Sequence, residues 1–97
     1  MARVAVMAPE LMFGSRIVGG LHAAGHDVVD PAADPDLVIA DVELVDPAEV
    51  PGRARLGFYP HTQVELRRRA EAAGFDLVVP RSRLARELPH LVEKLTS

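Results

Sequence analysis

The stretch DLVIADVELVDP, residues 36–47, decides how this chain is read. Leu37 to Ala40 run without a polar break and stop at Asp41. An unbroken apolar run of this length marks a strand covered on both faces, as in parallel sheets sandwiched between helices. Asp41 then stands at the carboxyl end of that strand, the edge where open parallel sheets hold their ligands. Beyond it, PAEV (47–50) has room for one helical turn with Pro47 at its first position.

Working outward, RVAVMA (3–8) is a second strand, ended by Pro9. A helical pattern follows that places Leu11, Ile17, Val18, Leu21 and Ala24 on one side, with Gly25 as its left-handed terminator. HDVVD (26–30) reads as a short strand stopped by Pro31. PAADP (31–35) is too short for a helix and holds two prolines, so the helix expected there is reduced or missing. Six residues fully extended reach only roughly 20 Å, so the strand before this crossing must be very short or sit elsewhere.

Downstream, ARLGFY (54–59) is a strand softened by Gly57. Thr62 and Glu65 have the spacing of a capping box and open a helix with Val64, Leu66, Ala70 and Ala73 available for burial, closed by Gly74. FDLVV (75–79) is the last strand, ended by Pro80. Ser82 is placed to cap a final helix that buries Leu84, Leu88, Leu91, Val92 and Leu95, with Pro89 forcing a kink or a restart. Strands alternating with helices predict a three-layer α/β/α domain over residues 1–97 with a parallel sheet.

Composition narrows the chemistry. The chain has 97 residues, of which 48% are apolar, enough for one buried core. It has no cysteine, which excludes disulfides and thiolate chemistry. His22, His26, His61 and His90 lack the spacing of a metal site, and no metal or other cofactor is expected. Neither a dinucleotide fingerprint, a phosphate-binding P-loop nor a nucleophile elbow occurs. No apolar run approaches the ~18 residues of a membrane span, and Arg3 is followed by only a short apolar run, so a soluble cytoplasmic protein is the expectation. The net charge of −3 is split unevenly: residues 1–50 carry two Arg and nine acids, residues 51–97 eight Arg, one Lys and five acids. The acidic half and the 4% aromatic content argue against nucleic-acid binding.

RVAVMAPE, PDLVIADVELVDP and AEAAGFDLVVP, in this order, resemble the receiver domain of two-component response regulators. The resemblance implies a flavodoxin-like five-stranded sheet ordered 2-1-3-4-5. It puts Asp41 at the phospho-acceptor position. The acidic pair that holds Mg²⁺ in receivers falls on Ala8 and Pro9, with Glu10 next. The family's Ser/Thr falls near Tyr59 or Pro60, and its Lys on Val79 or Pro80, one or two places before Arg81. Phosphoryl transfer to a carboxylate needs a divalent ion and a cation to offset the charge gathered there, and a guanidinium is not the compact point charge of an ammonium.

The leading expectation is therefore a non-enzymatic regulatory or interaction domain, receiver-like but without the phosphorylation switch. Its partner, a protein or a second copy, is expected on the face made by the last two helices and carrying Arg67, Arg68, Arg83 and Arg86. Those arginines also have helical spacing to Glu65, Glu71 and Glu87. Two alternatives stand beside it. One is a binder of a small anion, or a weak enzyme, using Asp41, Tyr59, His61, Arg81 and Ser82 at the strand ends. The other is a receiver that does take phosphate on Asp41.

Overall fold

The structure is a computed structural model and describes residues 1–60 and 63–97. Five strands, β1 (Arg3–Met7), β2 (Asp27–Val28), β3 (Leu37–Asp41), β4 (Arg55–Tyr59) and β5 (Leu77–Pro80), form one sheet. All its pairings are parallel and its order is β2-β1-β3-β4-β5, as the family resemblance implied. Three helices accompany it: α1 (Leu11–Ala23), α2 (Val64–Ala72) and α3 (Arg81–Thr96).

The short crossing is resolved by a short strand. β2 has two residues, and the link to β3 holds a single 3₁₀ turn, Pro31–Ala33, whose Asp30 side chain accepts the Ala32 N–H at 2.8 Å. A second 3₁₀ turn, Pro47–Glu49, fills the link between β3 and β4, with Pro47 at its start as read from the sequence.

Strand alternation divides the core in two. Val4, Leu37, Ile39, Leu56, Phe58 and Val79 point to one side, against α1 and α3. Ala5, Val38, Ala40, Tyr59 and Val78 point to the other, against Ala70 of α2, Phe75 and the loop residues Val42 and Val50. α1 is turned from the expected orientation: Phe13, Gly14, Ile17 and Leu21 are buried, while Leu11 is 79% exposed. The cause is its start. The Glu10 carboxylate caps it, accepting the Met12 and Phe13 N–H at 3.3 and 2.6 Å, and this fixes the rotation that turns Phe13 inward.

Gly25 and Gly74 follow α1 and α2 with φ of 86° and 94°, as helix terminators. The start of α2 differs from expectation. Its cap position is Gln63, with no side-chain cap bond, and Val64 is exposed; Thr62 lies outside the described residues. α3 begins two residues earlier than read, with Pro80 at its cap position, so Ser82 lies inside its first turn and makes no cap bond. Two helical segments meet within it at a kink, with Glu87 at the non-helical φ −117°, ψ 17° two residues before Pro89.

Candidate functional site

Asp41 is the one charged side chain buried in the core among the described residues, at 1% exposure. It is the fifth residue of β3 and stands opposite Phe58 of β4, so both point to the α1–α3 side. Its Oδ1 accepts the backbone N–H of Glu43 at 3.0 Å and, more loosely, that of Leu44 at 3.4 Å, which shapes the turn leaving the strand. Its Oδ2 has no hydrogen-bond partner among the described residues. The charged group facing it is Arg81, whose Nη2 lies 3.8 Å away, an ionic contact longer than a hydrogen bond.

Arg81 is the first residue of α3, immediately after β5. Its guanidinium lies over the Phe13 ring at 5.1 Å from the centroid, and its Nε is buried without a partner. The Arg16 guanidinium lies over the same ring at 5.9 Å, and Phe13 in turn packs on Phe58 with centroids 5.2 Å apart. Ser82, Pro60 and Ala85 complete this cleft. Phe13 and Arg16 went unnoticed in the sequence. The signal was there: an aromatic and an Arg three residues apart on a helix that follows the first strand.

The expected cluster is thus partly assembled. Asp41, Arg81 and Ser82 meet on one side of the sheet. Tyr59 does not join them. It follows Phe58, so its ring points to the opposite face, where it is buried beneath α2. Its hydroxyl there adds to the pull of Glu71 that raises the Arg67 guanidinium above its ordinary pKa. His61 lies outside the described residues.

The donors around Asp41 do not suit a divalent ion. Ala8 and Pro9 offer no side-chain oxygen, and Glu10 is committed to capping α1. Mg²⁺ prefers an octahedron of hard oxygens, and here a guanidinium faces the free carboxylate oxygen. Among the described residues no three His, Asp or Glu side chains gather to share a metal ion.

The four arginines expected at a partner face, among the six of the last two helices, are matched within their own helices. Arg67 pairs with Glu71 at 3.2 Å, Arg68 with Glu65 at 2.9 Å, and Arg83 and Arg86 both with Glu87 at 3.4 Å. α2 and α3 lie on opposite sides of the sheet, and both pack against the edge strand β5. No helix is long and apolar enough to cross a membrane, among the described residues.

Comparison with solved structures matches this geometry. The protein described as the signal receiver domain of the response regulator NarL from Mycobacterium tuberculosis superposes with a TM-score of 0.73, covering 98% of this chain and 95% of that one at 19% identity. The fold is that of a receiver domain. No family model matches the chain, and no curated protein matches it. In receiver terms, the two 3₁₀ turns stand where the second and third helices would be, and α2 and α3 stand as the fourth and fifth.

Proposed function

We propose that this is a non-enzymatic regulatory domain that uses the receiver scaffold without its phosphorylation switch. One observation carries the reading: the buried Asp41 faces the Arg81 guanidinium, while the positions of the metal-holding acids are Ala8 and Pro9. A phosphoryl group on Asp41 would gather negative charge at a buried position where Ala8 and Pro9 offer no side-chain oxygen to hold an offsetting divalent ion. The cation set against that carboxylate is instead the Arg81 guanidinium, a planar fork rather than the compact point charge of a lysine.

Signalling would then run through contact rather than modification. The rim around β5, with Arg67 and Arg68 on one side and Arg83 and Arg86 on the other, is the proposed contact for a protein partner or a second copy. Each arginine is already paired with a glutamate, so a partner bearing carboxylates would exchange one ion pair for another. Such exchange gives specificity and association rate more than raw affinity.

The test is incubation with acetyl phosphate and Mg²⁺ followed by intact-mass measurement. The mass is expected to stay unchanged. A gain of one phosphoryl group that disappears in Asp41→Asn would overturn the proposal. Sedimentation of the double variant Arg67→Glu, Arg86→Glu tests the rim: loss of self-association or of a recovered partner is expected, and an unchanged profile would remove that face from consideration.

A further inference from the structure

We propose that the groove between α1 and α3 is a binding site for an amphiphilic carboxylate, its charged head held by Arg16 and Arg81 and its hydrocarbon body lying along the groove. Two adjoining cavities, which share Phe13, Arg16 and Ala85 in their linings, make up this channel. The wider, about 530 Å³, runs from Phe13 past Gly20 and Leu88 to Pro89; the other, about 510 Å³, opens at Arg81 and Ser82. Each lies in the size range of small-molecule sites.

The channel is chemically polarised. Its long arm is apolar, bordered by Ile17, Leu84 and Leu88. Its mouth holds two guanidinium groups on one aromatic ring. Arg16 has no carboxylate within ion-pair distance among the described residues, and the contact of Arg81 with Asp41 is long at 3.8 Å and leaves its Nε without a partner. Two cations sharing Phe13 repel each other, and an anion between them relieves that repulsion. The Ser82 hydroxyl, exposed at the same mouth, can donate to an oxyanion.

Shape selects a thin body over a helix. A Cβ on Gly20 would stand 2.7 Å from the Leu88 side chain, so α1 and α3 nearly touch at the floor of the channel. A partner helix, about 10 Å across with its side chains, would ride on the rims. An alkyl chain is thin enough to lie between the rims, over the Gly20–Leu88 contact. The bend of α3 at Glu87–Pro89 lies where that helix borders the channel. Exposed Ala85 at the junction keeps the way from mouth to floor open.

Titration of the protein with decanoate below its micelle concentration, followed by backbone NMR, tests this site. Saturable shifts at Phe13, Arg16, Ala85 and Leu88 are expected, with butyrate and inorganic phosphate binding at least about tenfold more weakly, because the hydrocarbon contributes. Arg16→Gln should weaken decanoate about tenfold through loss of a charge-assisted bond. Ala85→Trp, at an exposed position where the fold tolerates a large side chain, should abolish saturation while the spectrum stays folded. The proposal is overturned if decanoate causes no saturable shift, if phosphate matches decanoate, or if both variants bind as the wild type does.

Discussion

On the α1–α3 side of the sheet the strands present Val4, Leu37, Ile39, Leu56, Phe58 and Val79; on the α2 side they present Ala5, Val38, Ala40, Gly57 and Val78, together with Tyr59, which lies beneath α2. The first set meets two long helices that bring Phe13, Ile17, Leu21, Leu84, Leu88 and Leu91. The second meets one helix of nine residues, two 3₁₀ turns and their loops. The difference teaches that side-chain volume on a sheet follows the thickness of what covers it. Close-packed interiors leave no room for voids. A loop lying directly on the strands leaves space for a methyl group or a hydrogen, and a helix, whose own side chains hold it off, needs branched and aromatic residues to fill the gap.

This contrast can be broken from either side. The largest effect is expected from Leu84→Ala in α3, a fully buried position on the thick side, which should cost roughly 3 kcal/mol in denaturant unfolding. The opposite change belongs to the thin side. Gly57→Ala should cost about 1–3 kcal/mol by overpacking, because its Cβ would stand 2.9 Å from Val42 and 3.0 Å from Phe75. A neutral Gly57→Ala would mean that the thin layer can lift, and the contrast would fail.

Asp41 offers a finer measurement. Asn keeps an acceptor for the Glu43 N–H and Ala does not, so Asp41→Ala should be less stable than Asp41→Asn by about 1 kcal/mol. Equal stabilities would show that the turn after β3 does not depend on that bond.

The smallest effect lies in the loops of the thin side. Arg53 donates to the Asp34 carboxylate at 2.6 Å, and this bond holds the Asp34 carboxyl below its ordinary value of 3.8. A depressed carboxyl stabilises the fold above its unfolded pKa and loses that contribution as pH falls through the lower folded value. A thermal comparison of wild type with Asp34→Asn should show a small gap at neutral pH that closes in acid below 3.8. Both partners are largely exposed, so the gap stays slight and shrinks further with salt. A gap that widened in acid would reverse the sign of this linkage.

The order of strands and helices was legible because it rests on local patterns: unbroken apolar runs, helical spacing, and prolines and glycines at the ends. Even the missing helix after β2 could be read, from the two prolines in PAADP. The site was legible in half. Asp41 was visible as the polar end of a buried strand, and Arg81 and Ser82 as residues near the ends of the neighbouring strands. Tyr59 was grouped with them because it ends the adjacent strand, yet register pairs Asp41 with Phe58 and so sends Tyr59 through to the other face. Leu11 matched a helical stripe, and the Glu10 cap rotated the helix away from it.

The sequence by itself determined the fold: which segments are strands, which are helices, and that a carboxylate ends the central strand, since each depends on residues a few places apart. Only the tertiary structure decided what that carboxylate faces. Arg81 is forty places from Asp41 in the chain and Phe13 is twenty-eight. Their meeting depends on strand register, where a shift of one residue sends a side chain to the other face, and on the rotation of two helices, where it turns one by about 100°.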